Sequence, residues 1–174
     1  MNKIASLSIA SLVLTLGLAP AAHAANPTDA QIAAIVVAAN TVDIDAGKQA
    51  ESRTKNKDVR AFAKQMVTDH TSVNKQATAL VKKLHVTPEE NATSKTLRQD
   101  GATAQARIGQ LSGKDFDKAY VDNEVAYHQT VIDAVDKTLI PSATNAELKA
   151  LLVKVRPVLE EHLEHARHLQ AEMK

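Results

Sequence analysis

The chain has 174 residues, a formal charge of +1, no cysteine, no tryptophan, two tyrosines and two phenylalanines. Near-neutrality without a basic cluster excludes the electrostatic footprint of a nucleic-acid binder or of a protein held on an anionic membrane face. Without cysteine there is no disulfide framework and no thiol nucleophile, so stability must come from a buried core.

Residues 1–24 read as a secretory signal peptide. Met1–Lys3 is a short basic start, Ile4–Leu18 an uncharged apolar run, and Ala22-His23-Ala24 a small-x-small cleavage site. The run is too short and wrongly flanked for a membrane anchor. The expectation is a periplasmic or secreted protein with no membrane span after cleavage, its residues 25–174 forming one domain. Of the 21 basic residues Lys3 leaves with the leader, so the remainder balances the 20 acidic ones.

In the first expected helix, Thr28 is placed as N-cap with Gln31 closing a capping box. Ile32, Ile35, Val36, Ala39, Val42, Ala46 and Ala50 then recur at helical spacing; Asp43 lies on that stripe and Asp45 points away. Arg53–Asn56 reads as a tight turn. Val59–Leu84 carries the clearest stripe of the chain, running from Val59, Phe62 and Met66 to Leu80 and Leu84 with His70 in its middle. A third helix is expected to open at Thr87, with Pro88 in its first turn and Glu90 closing the box. Its stripe of Leu97, Ala104, Ile108 and Leu111 is narrow, Gly101 and Gly109 count against it, and a break is placed near Asn91–Ser94. The fourth helix is expected to start at Ser112, with Asp115 returning a bond, and to bury Phe116, Tyr120, Tyr127, Val131, Val135 and Leu139 before Pro141 stops it. Thr144 with Glu147 should open the fifth, whose face is Leu148, Leu151, Leu152, Val155, Leu159, Leu163, Ala166 and Leu169, bent at Pro157. No segment reads as strand. The predicted class is all-α: an up-and-down four-helix bundle of two hairpins, with the third helix as an extra crossover between them.

Asp43, His70, Glu124, His128 and His162 each lie near the centre of an apolar arc at about 100° per residue. Counted from the turns at about 1.5 Å per residue, they fall within a few ångströms of one level. An ionised carboxylate in a core is costly unless it is paired or binds a metal. Imidazole and carboxylate are ligands for zinc, iron, manganese or copper(II). Two readings stay open: a transition-metal centre formed by these five residues, or a metal-free polar layer whose His–carboxylate pairs fix helix register. Asp69 flanks the stripe as a solvent-facing carboxylate or a group orienting His70; Asp117 belongs to a helix start. His165 falls at the rim and His168 outside. Tyr120 and Tyr127 read as core aromatics with wet hydroxyls. There is no Gly-x-Ser-x-Gly elbow and no glycine-rich phosphate loop, so no catalytic residue and no reaction are assigned.

The segments VDIDAGKQA around Asp43, VRAFAKQMVTDH ending at His70, FDKAYVDNEVAYH ending at His128 and RPVLEEHL around Pro157 and His162 give the mature chain a resemblance. It resembles an exported bacterial family of the ferritin-like superfamily, catalogued as a domain of unknown function and often labelled an outer-membrane protein. The resemblance implies a ferritin-like bundle, a signal peptide and metal handling, and carries no established reaction. The chain departs from di-iron ferritins, which pair Glu-x-x-His on two helices: Val67, Val125 and Leu159 stand three residues before His70, His128 and His162. A mononuclear or empty site fits better than a ferroxidase centre. The expected function is metal binding in stress or metal homeostasis. The alternative is a non-catalytic stress or chaperone-like scaffold with a metal-free polar core; pH sensing by the buried histidines is a third reading.

Overall fold

The computed structural model describes residues 26–173, so the expected signal peptide lies outside the described residues. Five long helices account for most of them, and no strand is present among the described residues. They are α1 (Asp29–Arg53), α2 (Lys57–Lys83), α3 (Ala92–Ile108), α4 (Gly113–Ala134) and α5 (Ala146–Glu172). α4 continues through a π-helical turn, Val135–Leu139, and a last turn, Ile140–Ser142.

The ends follow local hydrogen-bonding rules, though not always at the expected residue. Thr28 and Gln31 form the reciprocal capping box at the start of α1. α2 closes with Val86 N–H on the Val81 carbonyl at 2.9 Å, and His85 takes the left-handed φ of 53° that this closure demands. The expected opening of α3 at Thr87 is incorrect: Asn91 caps it, with Ser94 completing the box. Ser112 occupies the N-cap of α4 but makes no side-chain cap bond, so the exchange with Asp115 does not form. α5 is capped by Asn145 rather than Thr144. Asp29 of α1 takes the Thr144 backbone N–H at 2.9 Å and the Thr144 hydroxyl at 2.5 Å, diverting Thr144 from capping.

α1 and α2 form one antiparallel hairpin, and α4 and α5 another. In the first, Asn40 meets His70 near mid-length, and Gly47 lies under Ala63 and Val67. In the second, Arg156 pairs with Asp136 and Gln170 donates to Asp122. The hairpins join where α5 runs against α2, Lys83 to Glu147 at one end and His165 to Gln65 further along. α3 runs beside α1 in the same direction: Gln105 donates to the Val42 carbonyl, and Arg53 donates to the carbonyls of Gly109 and Leu111. α1 is long and apolar enough by composition to cross a membrane, yet over half of its most apolar window (56 %) is buried within the bundle.

The apolar faces form two clusters. One gathers Ile32, Val36, Ile132, Leu139, Leu152 and Leu159; the other gathers Ala50, Phe62, Met66, Phe116, Tyr120 and Leu169. Full burial of Phe62 or Met66 contributes roughly 1.5–3 kcal/mol each. Between the clusters, at mid-height, lies a layer of buried polar side chains.

Candidate metal centre

Each helix that crosses this layer contributes to it. Asp43 comes from α1, His70 from α2, Glu124 and His128 from α4, and His162 from α5, all at most 4 % exposed. They stand at core-facing positions because apolar residues lie a turn to either side on the same face: Ala39 and Ala46, Met66 and Val73, Val121 and Ile132, Leu159 and Ala166.

The three imidazole rings form a triangle, with centroids 5.6 Å apart for His70–His128, 5.3 Å for His70–His162 and 5.5 Å for His128–His162. One nitrogen from each ring can be chosen so that all three lie within 4.8 Å of one another. Asp43 closes the set: its Oδ2 is 3.2 Å from His70 Nε2 and 3.5 Å from His128 Nε2. These spacings match the edge of a tetrahedron with metal–ligand bonds near 2.0–2.1 Å, about 3.4 Å.

The outer nitrogens determine which inner ones are bare. Asn40 Nδ2 donates to the Val36 carbonyl at 2.7 Å, leaving Asn40 Oδ1 to accept from His70 Nδ1–H at 2.8 Å. His128 Nδ1–H donates to the Glu124 carbonyl at 3.0 Å. His162 Nε2–H donates to Asp69 Oδ2 at 3.0 Å. Each neutral ring therefore carries its proton outward and its lone pair inward. His70 Nε2, His128 Nε2, His162 Nδ1 and both Asp43 oxygens are buried with no hydrogen-bond partner among the described residues. Glu124 Oε2 is in the same state, and an unpaired buried polar atom costs about 1–3 kcal/mol.

Burial dominates the electrostatics. It lowers the His70 and His128 imidazoles to about 4 and lowers His162 as well. It raises the Asp43 carboxyl to about 6, against the opposing pull of His128. Glu124 is raised well above the carboxylate range by burial and then by the charge of Asp43. The histidines are thus held neutral, the form that binds metal.

The five expected residues fall into two overlapping groups that share His128: His70, His128 and His162, and Asp43, Glu124 and His128. Glu124 stands to one side: its Oε2 lies 3.6 Å from His128 Nδ1, the ring's outward nitrogen, and its side chain fits a supporting role beside Asp43 and His128. Asp69 orients a histidine, but His162 across the hairpin interface rather than His70 on its own helix. Asp117 is buried at the start of α4, away from the layer. His165 sits half-buried with its ring edge-on to Phe62, and His168 is exposed beside Glu172. The Tyr120 hydroxyl is buried rather than wet, while Tyr127 is half-buried. Tyr127 donates to the Ala39 carbonyl at 2.9 Å, and the buried Tyr120 hydroxyl has no partner among the described residues. Sequence reasoning passed over Asn40, although it lies four residues after Val36 and three before Asp43, on the same face.

The chain matches the family described as Domain of unknown function (DUF4142) over residues 16–169. It belongs to that family. No curated protein and no solved structure matches the chain. The membership adds no reaction, and the chemistry of this DUF4142 domain has to be argued from its polar layer.

Proposed function

We propose that this DUF4142 chain is an exported, periplasmic metal-binding protein with a ferritin-like bundle, in which α1, α2, α4 and α5 are the four helices and α3 the crossover. His70 Nε2, His128 Nε2, His162 Nδ1 and Asp43 would hold one divalent transition ion, serving metal homeostasis or stress protection. The single observation that carries this is the convergence of three outward-protonated imidazoles whose nitrogens come within 4.8 Å of one another, with the Asp43 carboxylate 3.2 and 3.5 Å from two of them. Three nitrogens and one oxygen in four-coordination suit zinc first; iron, manganese and copper(II) use the same donors.

The metal-free scaffold reading meets a specific difficulty. Without a metal, carboxyl protons can be shared between Asp43 and Glu124, whose side chains lie within hydrogen-bonding reach, and donated to His70 Nε2, 3.2 Å from Asp43. His128 Nε2 and His162 Nδ1 would still be buried and unpaired. A cation between the three histidines would pair their inner nitrogens together.

The test is metal content by elemental analysis of the untagged protein after loading with zinc. The expected result is about one ion per chain, abolished by the double substitution His70→Ala and His128→Ala. Unchanged metal in that double variant overturns the proposal.

A further inference from the structure

A cavity of about 470 Å³ opens onto the three histidines from the side of the first apolar cluster. Its walls are apolar, including Val36, Val73, Val131, Leu139, Val155 and Leu159, and its floor is His70, His128, His162 and Asp43. The exposed residues Thr130 and Thr138 stand on its lining, so it reaches the surface along α4. Protein interiors normally pack with few voids larger than a water molecule, and this volume lies in the range of small-molecule sites.

Two departures from regular helix border it. The π-helical turn of α4 supplies Val135, Thr138 and Leu139 to the lining. On α5, Pro157, which stands between the lining residues Val155 and Val158, lacks the N–H that would bond to the Val153 carbonyl. Arg156 pairs with Asp136 at 3.1–3.3 Å, so the two irregular segments are tied together. π-Turns within helices are frequent at functional sites.

Resting on the metal reading above, we infer that this cavity binds a small amphipathic anion, its apolar body against the α1, α4 and α5 walls and its head group on the ion held by the histidines. The floor of the cavity selects the head. A molecule that enters ends on His70, His128, His162 and Asp43, and an anionic oxygen donor such as a carboxylate is a ligand that an ion held there accepts. Asp69, the other carboxylate on the lining, has a side chain 37 % exposed and is screened by water. An anionic head would enter as a fifth ligand, an expansion that zinc and cobalt sites permit. The apolar walls reject a fully hydrated anion and favour one that carries a hydrocarbon tail.

The experiment titrates octanoate into the cobalt(II)-loaded chain and follows the visible absorption of the metal, with acetate as the tail-free control. Octanoate is expected to shift the spectrum saturably, at least tenfold more tightly than acetate. Val155→Trp, which fills the cavity from its wall, should weaken octanoate at least tenfold with cobalt content unchanged. Thr138→Trp, at the exposed rim, is the second variant should Val155→Trp lose its helical circular-dichroism signal. A cobalt-loaded chain whose spectrum ignores octanoate, or answers acetate equally well, overturns the cavity inference and leaves the metal reading standing. Failure to take up cobalt overturns the metal reading itself, and with it the placement of the head group.

Discussion

Asp69 Oδ2 accepts a hydrogen bond from His162 Nε2 at 3.0 Å, and by this contact a carboxylate on α2 determines which nitrogen of an α5 histidine faces the core. The bond crosses the seam between the two hairpins, so it couples docking of the hairpins to the state of the site. Outer-shell partners of this kind typically contribute 10- to 100-fold to metal affinity. Asp69→Ala should therefore weaken zinc binding by about that factor while the partly exposed position keeps the fold intact. Asp69→Asn retains an acceptor oxygen and should lose less. Competition against a chromogenic chelator measures both, and equal affinity in Asp69→Ala and the parent would remove Asp69 from the site.

The hydrogen bonds to Asn40, to the Glu124 carbonyl and to Asp69 make a joint prediction about proton positions. In the metal-free protein at neutral pH, long-range proton–nitrogen NMR should find His70 and His128 protonated at Nδ1 and His162 at Nε2. Asn40→Leu should scramble the His70 pattern alone. Finding His70 or His128 in the opposite tautomer would turn a proton into the centre and contradict the proposed ligand set.

The layer was readable because charged and imidazole side chains interrupt apolar stripes whose period is set by the helix, and turn-to-turn distance fixes their height. Asp43, His70, His128 and His162 could be aligned from those two regularities alone. What could not be read depends on the partner helix. Whether Thr144 or Asn145 caps α5 is decided by Asp29, more than a hundred residues earlier, which occupies Thr144 first. Asp69 could orient only a neighbouring ring, and nothing local says that α5 rather than α2 supplies it. The π-helical turn at Val135–Leu139 has no sequence marker, and with it the cavity above the histidines was invisible.

The pH response of the metal-free protein follows from opposed shifts. The folded His70 and His128 are lowered to about 4, so as pH falls below their unfolded value near 6.5 the unfolded chain binds protons first and stability is lost. Asp43 is raised to about 6, so between about 6 and its unfolded value near 3.9 the folded state binds the proton first and stability is gained as pH falls. Glu124, also raised, acts in the same direction as Asp43. The two sets offset one another, and the parent's melting temperature in chelator should fall only gently from pH 6.5 to 4.5. Asp43→Asn removes roughly 2 kcal/mol of that offset between about pH 6 and 4.5, so its melting temperature should drop several degrees further over the same interval. Parallel curves for parent and variant would show that Asp43 does not titrate as assigned.

Gly101 offers the sharpest test of how α3 sits on α1. In an exposed helix, replacing glycine by alanine gains about 1 kcal/mol, and on sequence alone Gly101 looks like a weakness. In the folded chain a Cβ at Gly101 would lie 2.6 and 2.8 Å from the two methyl carbons of Val42. A β-branched side chain in a helix has one strongly preferred rotamer, so Val42 cannot swing aside without strain. Overpacking of this kind costs about 1–3 kcal/mol and outweighs the propensity gain. Gly101→Ala should thus lower the urea midpoint of unfolding, whereas in a Val42→Ala background, where only the residue-42 Cβ at 3.2 Å remains, the same substitution should lower it far less. A gain in both backgrounds would mean that α3 is not held against α1 at this point.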